Sequence, residues 1–326
     1  RVQGTQKQPI ERVDHEVGER IVGLAEGSLE PLLVGQGGFG HARSCFCRPP
    51  QCDSVWTILF PRIREMALAR YSPLPASAAG IRSAVVLAAG FGSRMQVDGR
   101  DTPKPLVEVA DVPVMHRTIA GLLHAGIDDV VVVTGHRAVE IKASVAVAFG
   151  DDDRIRFVAN DRYELANGVS VLVGARAVRE SPFLVTMSDH LLSRSVFALA
   201  ASHEPPADGA TLLVDPAVDA VFDIDDATKV WAEGGRLVRI GKQLTEYTHI
   251  DVGVFVCTHG LTVALEEVLN RAGDVSLSAG VAALASTGRM EVLSIDDGLW
   301  QDVDDPAMLS EAHALVSRFP HLFPVP

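Results

Sequence analysis

Cysteine is scarce in this chain: four among 326 residues are too few for a disulfide scaffold at that length. Cys45, Cys47 and Cys52 cluster as C-x-C-x4-C, but no second pair follows and only His41 stands near, a poor match to structural zinc spacings. Cys257 sits in an apolar stretch and reads as a small core residue. Positive charge is also short. With 29 Lys and Arg against 42 Asp and Glu the net charge is −13, which argues against a nucleic-acid binder. No apolar run approaches the roughly 18–20 residues that span a bilayer. No charged-then-apolar leader opens the sequence, so a cytoplasmic protein is expected.

What is present suits a globular protein of one large domain or two small ones, at 47% hydrophobic and 22% charged residues. Residues 1–80 read differently from the rest. They hold scattered charges, Gly-Gln-Gly-Gly-Phe-Gly at 35–40, several prolines, and one amphipathic helix candidate from Val13 to Leu24. The expectation is an N-terminal extension, disordered or the product of upstream translation, with Met66 a candidate start; the rival reading is a regulatory arm. A regular domain is expected over 81–318 and a short tail over 319–326.

The domain opens on Ala84-Val-Val-Leu-Ala-Ala-Gly-Phe-Gly-Ser-Arg-Met95, followed by Thr102-Pro-Lys-Pro-Leu106. Ala84 to Ala89 is a short apolar run of the kind buried in parallel sheets. Gly90 and Gly92 end it and admit close approach of the backbone. Arg94 follows, and Lys104 stands between two stiffening prolines. Strand, glycine turn, arginine and held lysine describe a polyphosphate cradle, over Leu87, Ala88, Ala89, Gly90, Gly92 and Ser93 with Arg94 and Lys104 as cations. It is not a P-loop, since no Gly-Lys-Ser/Thr closes it, and Met95 stands where a dinucleotide fingerprint has its third glycine.

Helical spacing over 113–126 and 137–149 alternates with strands at 84–89, 129–134, 155–159 and 183–187. This is a Rossmann-like, doubly wound α/β pattern, whose ligands sit at the C-terminal ends of the strands. Asn167 reads as the cap of the helix that follows it. Asp189, just past a central strand, stands where a magnesium ligand is expected, and Asp302 is the second candidate. Asp304 or Asp305 reads as the cap of the last helix, with Pro306 at its first position. Beyond Pro205 a hairpin (229–232 and 236–240) marks a small antiparallel subregion beside a mostly parallel sheet. Lys229 and Lys242 lie there, as surface charges or as phosphate contacts.

The pattern Leu-x-x-Gly-x-Gly-x-Arg-Met with Lys-Pro-Leu shortly after resembles the signature of the sugar-phosphate nucleotidyltransferases. Asn160-Asp161, Asn167-Gly-Val-Ser-Val, Met187-Ser-Asp-His190, Ala227-Thr-Lys-Val230, Ile240-Gly-Lys242, Ile250-Asp-Val-Gly-Val-Phe255 and Trp300-Gln-Asp-Val-Asp304 resemble the inositol-1-phosphate cytidylyltransferases in particular. One departure is Ser188, in place of a glycine before Asp-His. The resemblance implies CTP and inositol 1-phosphate as substrates, and CDP-inositol and pyrophosphate as products. It adds Asn160, Asn167, Gly168 and Ser170 to the nucleotide site and implies Mg2+ on Asp189 and Asp302. Lys104 would stabilise charge at the α-phosphorus, with Lys229, Lys242 and Asp251 on the acceptor. Many family members continue into a membrane-embedded domain; here a separate membrane enzyme is expected to use the product, and an oligomer is open. The rivals are transfer to phosphocholine or a hexose 1-phosphate, and a non-catalytic nucleotide or sugar sensor.

Overall fold

The computed structural model describes residues 80–92 and 102–326. The helix expected at Val13–Leu24, the cysteine cluster, Met66, Ser93 and Arg94 lie outside the described residues.

Four parallel strands form one half of the sheet: β1 (Ser83–Ala88), β2 (Asp129–Thr134), β3 (Ile155–Ala159) and β4 (Phe183–Met187). They stand in the order β3-β2-β1-β4, with Ser83 opposite both Asp129 and Phe183. Every residue of β1 and β2 is buried, which is why these strands are continuous apolar runs and not alternating ones. Alternate β1 side chains supply two cores. Val85 and Leu87 pack with Val169 and Leu172 on one face; Ala84, Val86 and Ala88 pack with Met115, Ile119 and Leu122 on the other. The helices α1 (Val114–His124), α2 (Ala138–Phe149) and α3 (Gly168–Ala175) are the crossovers. This is the doubly wound arrangement expected, and it puts Gly90, Asn160 and Asp189 on one edge.

The second half adds β5 (His190–Leu192), α4 (Arg194–Ser202), β6 (Ala210–Asp215), β7 (Lys229–Glu233), β8 (Arg236–Gly241) and β9 (His249–Cys257). Then come α5 (His259–Ala272), α6 (Leu277–Ser286), β10 (Met290–Ser294), β11 (Trp300–Asp302) and α7 (Pro306–Arg318). The nine-stranded mixed sheet runs β3-β2-β1-β4-β9-β6-β10-β8-β7. Strand β9 is antiparallel to β4 and β6, and it also pairs with β7 through His249–Val230 and Ile250–Lys229. The antiparallel subregion is thus continuous with the main sheet. Its β7–β8 turn is Gly234-Gly235, both at positive φ (57° and 79°), as a two-residue hairpin of primed type requires.

Residues 319–326, read from sequence as a tail, pack on the body. Phe319 and Phe323 are buried, and the Arg117 guanidinium donates to the Pro324 carbonyl at 3.0 Å. No helix among the described residues is long and apolar enough to cross a membrane.

Candidate active site

Past Ala88 the chain leaves β1 at the open edge of the sheet. Gly92 there has φ +60°, a left-handed conformation that favours glycine. Lys104 stands at the head of a short 3-10 turn (Lys104–Leu106), between Pro103 and buried Pro105. Two prolines limit where this backbone can go, so the lysine is delivered from a stiff segment.

The Lys104 ammonium forms ion pairs with the carboxylates of Asp189 and Asp304. Burial opposes its charge, but the two carboxylates outweigh that and raise its pKa above the ordinary lysine value. Burial likewise opposes ionisation of Asp189, while Lys104 and His190 override it and hold the carboxyl well below the usual range. His190 Nδ1 lies 2.8 Å from the other Asp189 oxygen, Oδ1. The imidazole also loses charge stability to burial and regains it from Asp189 and Asp302, for a net rise in pKa.

Asp302 reaches the same place by a pairing invisible in one dimension. Strand β11 pairs antiparallel with β5, setting Asp302 opposite His190. Burial raises the Asp302 pKa, and the neighbouring charges of Asp304 and Asp189 add to the rise. The Trp300 ring lies stacked beside the His190 imidazole, centroids 6.2 Å apart and planes 16° apart. The indole N–H donates to Asp215 at 2.9 Å. Gly253, at φ +76° in the irregular part of β9, leaves room for that imidazole: a Cβ there would lie 2.8 Å from His190 ring atoms. The same turn lets the Gly253 N–H donate to the Asp251 carboxylate at 2.7 Å, while burial pushes the Asp251 pKa up to about 6.

Two chambers meet here. A cleft of about 390 Å³ runs from Leu87, Ala88, Ala89, Gly90, Phe91 and Gly92 to Tyr163, Asn167 and Ser170. A second, of about 190 Å³, is walled by Asp226, Thr228, Lys242, Asp251, Ser278 and Trp300. Lys104, Asn167, Met187, Asp189 and Asp304 line both. Of the residues expected at the nucleotide, Leu87, Ala88, Ala89, Gly90, Gly92 and Ser170 line the first chamber alone, and of those expected at the acceptor Lys242 and Asp251 line the second alone, with the lysine and its carboxylates between them.

Some expected residues have other duties. Asn160 is buried off the cleft and donates from Nδ2 to Ser170 Oγ at 3.0 Å, so it positions a wall. Gly168 serves packing: a Cβ there would lie 2.5 Å from the Val275 carbonyl oxygen. Asn167 stands at the head of α3 without capping it by its side chain. Its Oδ1 instead accepts the Leu277 N–H at 2.9 Å, at the first turn of α6. Lys229, expected on the acceptor phosphate, is buried and donates to the carbonyls of Asp225, Ala227 and Lys242 at 3.2, 3.3 and 3.1 Å. It does not line the second chamber; Lys242 does, paired with Asp226 at 2.8 Å. A buried ammonium needs donors satisfied, and main-chain carbonyls of one loop and one turn satisfy it here. Asp305 caps α7, accepting from Ala307 and Met308 N–H at 2.8 and 2.9 Å, which leaves Asp304 for the site. Sequence reasoning passed over Asp304 as a cap candidate and His190 as the residue after a ligand. Their one sequence signal was the run of acids 302–305 and the Asp-His pair.

Among the described residues no three His, Cys, Asp or Glu side chains converge tightly enough to hold an ion alone. Magnesium does not need that. It binds through one or two carboxylates and completes its shell with water and substrate phosphates. Asp189 and Asp302 offer hard oxygens to one chamber, and burial raises the Asp302 pKa against the opposing charge of His190. The donor set fits the ion.

The doubly wound sheet thus brings the glycine turn, the held lysine and the carboxylates of Asp189 and Asp304 to one strand-end junction. Residues 84–220 match the MobA-like NTP transferase domain, and the chain carries a nucleotidyltransferase domain of that family. Among curated proteins it is 35% identical over 241 residues to the bifunctional IPC transferase and DIPP synthase of Rubrobacter xylanophilus, covering 72% of this chain and 51% of that one. It is 32% identical over 238 residues to the protein of the same description from Archaeoglobus fulgidus, covering 73% and 44%. The chain thus spans about half the length of these curated relatives. Among solved structures, the inositol-1-phosphate CTP transferase from T. maritima superposes with a TM-score of 0.65 at 28% identity, over 73% of this chain and 96% of that one.

Proposed function

We propose that this chain transfers the cytidylyl group of CTP to inositol 1-phosphate, with Mg2+, giving CDP-inositol and pyrophosphate. The observation that carries the reading is the junction: one lysine with Asp189 and Asp304 at the only stretch of wall the two chambers share among those described. The likeness to an inositol-1-phosphate CTP transferase and to IPC transferases supports the choice of substrates.

The triphosphate lies in the larger cleft, its phosphates on the main chain of Gly90 to Gly92. Lys104, at the junction, faces the α-phosphate and neutralises charge that builds as the acceptor's phosphate oxygen attacks in line. A phosphate monoester is already ionised at neutral pH, so no general base is required. Lys242 holds the acceptor phosphate, and Asp226, Thr228, Asp251 and Ser278 offer hydrogen-bonding groups to ring hydroxyls. Asp189 and Asp302 would hold the ion, which supplies charge neutralisation at phosphate oxygens when bound. Positioning and electrostatics carry the rate, as in phosphoryl transfer generally.

The test is pyrophosphate release with Mg2+, crossing CTP, UTP, dTTP, ATP and GTP with inositol 1-phosphate, phosphocholine and glucose 1-phosphate. Release with CTP and inositol 1-phosphate alone is expected. Release with a different pair moves the substrate, and silence with nucleotide still bound favours a sensor.

A further inference from the structure

Lys104 has two carboxylate partners, distant in sequence by 85 and 200 residues, and the mechanism above uses only one of them. Both oxygens of Asp189 are engaged, Oδ2 by Lys104 and Oδ1 by the His190 ring. A divalent ion that takes Asp189 therefore competes with the lysine and the imidazole for its oxygens. On the assignment of Asp189 and Asp302 to such an ion, we propose that Asp304 is a positioning residue: it keeps the Lys104 ammonium at the junction of the chambers when Asp189 turns to the ion.

Several constraints make this arrangement specific. The Lys104 backbone is confined by Pro103 and Pro105 and by Gly92, where a Cβ would lie 2.6 Å from that of Lys104. The ammonium is the part free to swing. Asp304 is anchored independently of the ion site, immediately before the Asp305 cap of α7, and its own N–H points to Met308 Sδ at 3.4 Å. Asp304 is one of the residues that line both chambers. A lysine passed from Asp189 to Asp304 stays between the chambers, where the α-phosphate would lie; without Asp304 the lysine and the ion compete for one carboxylate.

The test is a double-mutant cycle on Mn2+ binding to nucleotide-free protein, followed by electron paramagnetic resonance, so that turnover plays no part. Lys104→Met and Asp304→Asn keep side-chain shape close to native; Lys104→Gln serves as a second lysine variant. With Lys104 present, Asp304→Asn is expected to weaken Mn2+ binding about tenfold; with Lys104→Met or Lys104→Gln the same change is expected to stay within about threefold. An equal loss in both backgrounds would overturn the proposal, since Asp304 would then act as an ion ligand or a through-space charge. No Mn2+ binding in any variant, up to the millimolar range, would instead overturn the ion assignment on which the proposal rests.

Discussion

Gly92 and Lys104 touch through the space a side chain would fill: a Cβ added at Gly92 would lie 2.6 Å from the Lys104 Cβ. The cradle glycine thus has two duties, a left-handed backbone at φ +60° and a seat for the lysine stem. Gly90 differs, with nothing within 4 Å of its missing side chain, so its face opens onto the cleft.

Gly92→Ala should displace Lys104 from the junction. A misplacement of this size costs about 10²-fold in kcat/KM, while Gly90→Ala, with open space and no positive φ, should cost far less. Equal effects of the two substitutions would show that the Gly92–Lys104 contact does not matter.

Lys104→Met, Asp189→Asn and Asp302→Asn should each lower kcat by about 10²–10³-fold or more, the scale for removing a group aimed at developing charge. Far-ultraviolet circular dichroism should stay unchanged. A variant that retains a near-normal rate removes its residue from the mechanism.

Asn167→Ala deprives the first turn of α6 of the acceptor at Leu277 N–H. The expected loss is about 1–2 kcal/mol of folding stability, as for a lost helix cap. Urea denaturation reads it, and an unchanged midpoint would mean that water or Ser276, which accepts from Ala279 N–H, suffices.

His116 gives the fold an acid limit. It is buried with Ser144 Oγ at 3.1 Å from Nε2, and burial pushes its pKa down to about 4. The unfolded chain, with a histidine near 6.5, binds the proton first, so stability falls as pH drops from about 6.5 to 4 and the full penalty is present below that. The shift corresponds to roughly 3 kcal/mol on an order-of-magnitude scale. His116→Gln should flatten the difference between urea midpoints at pH 7 and pH 4.5; an unchanged pH slope would assign the acid loss to other groups.

Much of the architecture was legible in one dimension because it is local. The residue limits of β2, β3, β4 and β6 follow from apolar runs bounded by turn residues. Gly234-Gly235 announces its hairpin, and Asp305-Pro306 announces α7. The placing of Gly90, Gly92 and Lys104 along one cleft was legible too, since strand, glycines and lysine lie within about twenty residues.

Sequence by itself determined the doubly wound half, the glycine turn with its lysine close behind, and the candidacy of Asp189 and Asp302, through periodicity and short-range motif spacing. Tertiary structure decided which polar groups face which space. A lysine has the same chemistry in either setting, yet Lys229 is consumed by three carbonyls while Lys242 lines the second chamber. Asp304 and Asp305 are neighbours of one type, and only the pairing of β11 with β5, together with the start of α7, sends one to Lys104 and the other to helix amides. Hydrogen-bond partners distant in sequence are chosen by packing, and packing is a property of the folded chain.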